Sequence, residues 1–274
     1  MTSTFDHLDT RRIRESALKS VSRALEEKNL PPAYIIGFKG SYAMGLQTAD
    51  SDLDVIAYVQ ANVEQEWLFG QRPLSKEFTL EQTETHPAIE VNVQSITHLA
   101  RSLHKIPFNT VEVFAGTMAP SYSGPVGATI TKHVRNVLSL QESAHEYRKT
   151  VFFMGHNTFN KGFKTLDDLL TPTSHSNVAL VKGERNKMFA KAALFYNMLC
   201  DNEHASVFDM MTLTDQRIRM YHDYRNDAIS SEIIGIIEQF YTSKDNIQTV
   251  INQTLPVSQT KAYRETIAYM VSLI

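Results

Sequence analysis

Residues 40–59, GSYAMGLQTADSDLDVIAYV, decide how this chain is read. The stretch opens on a Gly-Ser pair, passes a second glycine and ends in an apolar run. Two aspartates, Asp52 and Asp54, stand two apart where that run begins. The run predicts a central, buried strand over 52–59. Carboxylates at its start cost stability unless something pairs with them. Residues i and i+2 of a strand share a face, so the two acids are expected side by side. Like charges that close repel unless a cation lies between them, and oxygen-only ligands suit a hard cation such as Mg²⁺.

Working outward, AYIIGF (33–38) reads as another buried strand, and a glycine-bearing connection joins the two. Gly40 permits the backbone angles of a tight turn there. Amides at such a turn, entering a short helix, form an anion-binding nest, and the Ser41 hydroxyl adds a donor for a phosphate oxygen. Gly45, Asp50 and Ser51 shape the return into the second strand. Downstream, KEFTLEQ (76–82) and AIEVNVQ (88–94) alternate as strands do. The alternation puts Ile89, Val91 and Val93 on one face and Glu90, Asn92 and Gln94 on the other. If this strand neighbours 52–59, Glu90 completes a carboxylate triad. Three such acids can hold two metal ions about 3.5–4 Å apart, the usual device for in-line phosphoryl transfer. A helix over 5–28, with Ile13, Leu18, Val21 and Leu25 on one side, precedes the strands, and helices over 95–106 and 108–116 follow them.

With these residues in view, GSYAMGLQTADSDLDV resembles the signature of the DNA polymerase beta nucleotidyltransferase superfamily. IEVNVQSITHLARSL and NTVEVF extend the likeness toward predicted bacterial and phage nucleotidyltransferases sometimes linked with RNA repair. The resemblance implies that Gly40 and Ser41 touch a nucleoside triphosphate. It implies that Asp52, Asp54 and Glu90 hold two Mg²⁺ ions, or Mn²⁺ in their place. The implied reaction is attack of an acceptor hydroxyl on the α-phosphorus of an NTP, with pyrophosphate released. An RNA 3′ end is the first acceptor expected; a protein hydroxyl, as in toxin–antitoxin pairs, and a small molecule such as an aminoglycoside are the alternatives. A non-catalytic nucleotide-binding module that keeps the fold is the competing class.

Pro, Ser and Gly gather over 117–125, which predicts a domain edge. The expected architecture is α+β: a mixed-sheet catalytic domain over 1–118 and an all-helical domain over 119–274, with the site in the cleft between them. In LVKGERNKMFAKAALFYNMLC, Phe189, Ala192, Tyr196 and Leu199 form an apolar stripe. Continued backward, that stripe meets Arg185 and Lys182, while Lys187 and Lys191 form a neighbouring pair. These four cations are candidates for triphosphate binding. Lys187 resembles the lysine of a basic helix often found in the family; Lys191 and Leu194 stand where a histidine and an arginine are expected after it.

Composition narrows the classes further. Of 274 residues, 42% are hydrophobic and 21% charged, which is ordinary globular usage rather than disorder. The lone Cys200 excludes an internal disulfide and a cysteine-based zinc cluster. The acid-bearing start lacks a leader's apolar core, and no apolar run approaches membrane-spanning length, so a cytoplasmic protein without membrane contact is expected. A net charge of −3 argues against a strongly basic coat for nucleic acid, so any RNA contact must be local. Among the ten histidines none has metal-ligand spacing; His156 reads as an ordinary helix residue, and His86 is left outside the site.

Overall fold

The computed structural model describes residues 10–48, 51–61, 73–118, 120–122, 124–170, 178–199, 205–226, 235 and 256–273; at 122 and over 159–170, 178–182 and 184–185 it describes the backbone alone. The chain is α+β, with a mixed sheet in its N-terminal part and mostly helices after it. The first helix, α1 (Thr10–Glu27), buries Ile13, Ala17, Val21, Ala24 and Leu25. That stripe recurs every three to four residues, the period of a helix face. It corrects the expected face by one position, since Ala17 is fully buried and Leu18 only flanks the core.

The strands are β1 (Ala33–Lys39), β2 (Leu53–Val59), β3 (Ser75–Leu80), β4 (Ile89–Ser95) and the short β5 (Ser121–Tyr122). Their order is β3-β4-β2-β1-β5. β1 and β2 run antiparallel, joined through the short helix α2 (Gly40–Met44), and β2 and β4 run parallel. β3 is the exposed edge, antiparallel to β4. One sheet face carries Ile36 and Phe38 from β1, Leu53, Val55, Ala57 and Val59 from β2, and Ile89, Val91 and Val93 from β4, all packed with α1. Burying each such side chain contributes about 1.5–3 kcal/mol. Strand periodicity then sends Lys39, Asp54 and Glu90 to the opposite face.

The helices α3 (Ile96–Ser102) and α4 (Phe108–Ala115) follow β4. Val113 of α4 packs so closely on Gly37 that a Cβ there would run into it. The next helix, α5 (Gly124–Leu138), buries Ile130, Val134, Val137 and Leu138. It packs with α4, β1 and the C-terminal helix Lys261–Ser272. The His133 and Tyr269 rings stack at 5.0 Å, and the Thr266 hydroxyl donates to the His133 carbonyl at 3.3 Å.

Two compact units result, Met1–Leu140 with Pro256–Ile274, and Gln141–Leu255. The division therefore does not follow the expected edge at 118. The stretch read as a linker instead adds β5 to β1 and, at Gly124 (φ +62°), turns into α5. The second unit is helical, with α6 (Gln141–Leu170), α7 (Val178–Leu199), α8 (Val207–Met211) and α9 (Asp215–Asn226). From Phe189 onward α7 is buried on nearly every side, as a central helix is. Its C-terminal carbonyls receive guanidinium bonds, Leu199 from Arg148 at 3.1 Å and Asn197 from Arg217 at 3.0 Å. Ser206 and Asp209 form a capping box that opens α8. Among the described residues no helix is long and apolar enough to cross a membrane.

Candidate active site

The site is built at one end of the three central strands. Lys39 of β1 pairs with Asp54 of β2, and Asp54 pairs with Glu90 of β4. Three neighbouring strands thus carry Lys39, Asp54 and Glu90 in a single row with Asp54 in the middle, all on the face away from α1. The Lys39 ammonium lies 3.8 Å from Glu90 Oε1 and 4.0 Å from Asp54 Oδ1. Its side chain is 15% exposed, that of Asp54 33% and that of Glu90 52%. The lysine side chain is therefore mostly packed while both carboxylates keep a water-facing side.

Gly40, next along the chain, sits at φ +69°, a left-handed conformation that favours glycine. A side chain there would also collide with the Asp54 Oδ2 oxygen. The glycine therefore serves two ends: it makes the turn and it makes room for the carboxylate. The Gly40 N–H donates to Glu112 Oε1 at 2.9 Å. Glu112 is only 3% exposed, in the middle of α4. The first amide of the expected phosphate nest is thus held by an internal carboxylate. Ser41 is half-buried at the start of α2. Gly45, at φ +72°, ends α2, and Leu46 N–H closes back on the Ser41 carbonyl at 2.8 Å. Thr117 fastens the same helix end, its N–H and hydroxyl both donating to the Ala43 carbonyl, at 2.7 and 3.0 Å. Ser51 closes the return by accepting from Thr48 N–H at 2.9 Å, whereas Asp50 lies outside the described residues.

Asp52 behaves differently from its neighbour. It is exposed and precedes β2, which begins at Leu53, so the strand alternation that would set it beside Asp54 does not reach it. Among the described residues no group of three or more His, Cys, Asp or Glu side chains gathers as a metal site. Asp54 and Glu90 do suit a hard divalent cation as donors, being two carboxylates in register with one positive charge already within 4.0 Å of both. In the second unit, Lys187 and Lys191 are half-buried on α7. Lys182 and Arg185 belong to the same helix, and their side chains lie outside the described residues.

Two residues of the row and its support escaped the reading of the sequence. Lys39 could have been found, since Ile35, Gly37 and Lys39 alternate onto the face that carries Asp54. Glu112 left a similar signal, a lone acid inside the apolar FNTVEVFA of α4. His86 is a structural staple. It is 1% exposed, its Nδ1 faces the Pro87 carbonyl at 2.7 Å, and its Nε2 meets the Ser20 hydroxyl of α1 at 3.0 Å. One row further along the sheet, Asn92 donates to Glu77 Oε1 at 2.6 Å. Deeper still, burial pushes the Tyr58 hydroxyl up to about 12, opposed in part by its bond to Thr110.

No protein-family model matches the chain, and a search of curated proteins finds no match. Among solved structures, it is similar to a nucleotidyltransferase-like protein from Exiguobacterium sibiricum 255-15. That likeness has 12% identity and a TM-score of 0.28, and covers 94% of this chain and 89% of the other. At that TM-score the likeness carries no functional weight.

Proposed function

We propose that the chain is a metal-dependent nucleotidyltransferase that moves a nucleoside monophosphate from an NTP to an acceptor hydroxyl and releases pyrophosphate. The observation that carries the reading is the register of Asp54 with Glu90 on adjacent parallel strands, beside the Gly40–Ser41 turn. Asp54 and Glu90 would hold Mg²⁺, with Asp52 the nearest further carboxylate along the chain. When bound, the metal supplies positive charge that offsets the triphosphate and acidifies the acceptor hydroxyl. The remaining work falls to the chain. The Ser41 hydroxyl donates to a phosphate oxygen, and Glu112 keeps the turn in place through the Gly40 amide. Glu90, the more exposed acid, accepts the proton as the acceptor oxygen bonds to the α-phosphorus. The bond from that phosphorus to the α,β-bridging oxygen breaks in the same displacement. An RNA 3′ end is the acceptor this reading puts first.

A second reading, a nucleotide-binding module without catalysis, is favoured by one observation. The acids are not left unpaired, because the Lys39 ammonium lies within 4.0 Å of both. Incubation with NTPs labelled at the α-phosphate, with Mg²⁺ and with or without RNA, separates the two. Label transfer that disappears in Asp54→Asn and Glu90→Gln supports the enzyme. Metal-dependent nucleotide binding with no transfer to RNA, protein or aminoglycoside supports the module.

A further inference from the structure

We infer that Lys39 is the site's resident counter-cation, which a divalent metal must displace in order to bind Asp54 and Glu90; this rests on the nucleotidyltransferase reading of the site. Three observations support it. First, the ammonium lies within 4.0 Å of both acids at once, so it holds the position that serves the pair. Second, on Asp54 the oxygen turned to Lys39 is Oδ1, whereas Oδ2 lies on the Gly40 side. A metal bound through Oδ1 competes with the ammonium for the same atom. Third, the Lys39 side chain is mostly packed at the end of β1, whereas the two carboxylates it reaches remain partly in water. Its contacts with them are long, at 3.8 and 4.0 Å, and partly exposed ion pairs contribute little to stability, so the ammonium can leave them without unfolding the strand.

The consequence is a raised threshold for metal. With Lys39 in place the two acids need no divalent ion to be neutralised, and the site loads only when metal outcompetes the ammonium. Once displaced, the ammonium remains anchored next to the Gly40–Ser41 turn, where a triphosphate would give it a new partner.

The test is Mn²⁺ titration of the full chain without nucleotide, followed by the electron paramagnetic signal of free Mn²⁺. Lys39→Met keeps the packed stem and removes the charge; it should bind Mn²⁺ about tenfold more tightly or better, as expected when a unit charge about 4 Å away is removed. Lys39→Arg, which keeps the charge, should bind no more tightly than the wild type. Adding Glu90→Gln to Lys39→Met should cancel the gain. A folded Lys39→Met protein with unchanged or weaker Mn²⁺ affinity overturns the inference. If Lys39→Met does not fold, Lys39→Gln takes its place; failure of both to fold also overturns it, because the lysine is then an anchor rather than a displaceable ion. The parent reading fails separately. Mn²⁺ binding by the wild type that ignores Glu90→Gln, or no binding by either wild type or Lys39→Met, counts against the metal site itself.

Discussion

Gly40 and Gly45 offer a controlled comparison, because they share a positive φ and differ in what surrounds them. Their φ angles are +69° and +72°. Alanine at either position must adopt a left-handed conformation, at about 1–2 kcal/mol. At Gly45 the new methyl group would meet only Thr117 Cγ2, at an ordinary 3.8 Å. Gly45→Ala should therefore cost that strain and little else. At Gly40 the methyl group would enter the space of the Asp54 carboxylate. Overpacking of this kind adds about 1–3 kcal/mol, so Gly40→Ala should cost about 2–5 kcal/mol in total. Asp54 can relieve the clash by rotating, which moves its carboxylate from the position it holds beside Lys39. The stability loss then shrinks toward the Gly45 value while metal affinity falls. Urea unfolding combined with Mn²⁺ titration reads both quantities. Equal destabilisation by the two variants, together with equal Mn²⁺ affinity, would refute the claim that Gly40 is glycine on account of Asp54.

Asp54→Asn should change metal-free stability by no more than about 1 kcal/mol, since Lys39 keeps Glu90 and the lost pair is partly exposed, yet it should abolish nucleotidyl transfer; thermal melts in EDTA and the label assay check the two halves. Glu112→Ala leaves the Gly40 amide without its acceptor and should cost about 1–3 kcal/mol, with Glu112→Gln milder because it retains a carbonyl oxygen; urea titration ranks them. His86→Ala should destabilise by about 2–4 kcal/mol through the lost Ser20 and Pro87 bonds and the cavity left behind, with Mn²⁺ affinity unchanged. Tyr58 predicts an alkaline limb. Its hydroxyl ionises near 10 in the unfolded chain but is pushed up to about 12 when buried, so the unfolded state binds fewer protons in that window. The contribution is complete below about pH 10 and is lost as pH rises toward about 12, at up to about 1.4 kcal/mol per pH unit, and Tyr58→Phe should flatten the slope in urea unfolding across that range.

Much of the first unit was legible along the chain because its information is periodic. Ile89, Val91 and Val93 alternate with Glu90, Asn92 and Gln94, and that alone assigns one face to the core and the other to chemistry. Gly40 before Ser41 announces a turn, since positive φ is a local demand that a residue type can advertise. Alternation cannot say which strands are neighbours. Only the parallel pairing of β2 with β4 brings Glu90 to Asp54, 36 positions away, and only the antiparallel pairing of β1 with β2 adds Lys39. The same limit explains Asp52: alternation applies within a strand, and hydrogen bonding to neighbours set the start of β2 at Leu53. The edge between units was misplaced for a related reason. Pro, Ser and Gly mark a turn, but whether a turn separates two units depends on what the following helix packs against. Here α5 returns to β1 and the C-terminal helix, and that contact is long-range. The sequence by itself determined the local conformations and the two faces of the sheet, because those follow from side-chain size and period. Tertiary structure decided which charges meet, because a row of three strands joins residues that no local pattern connects.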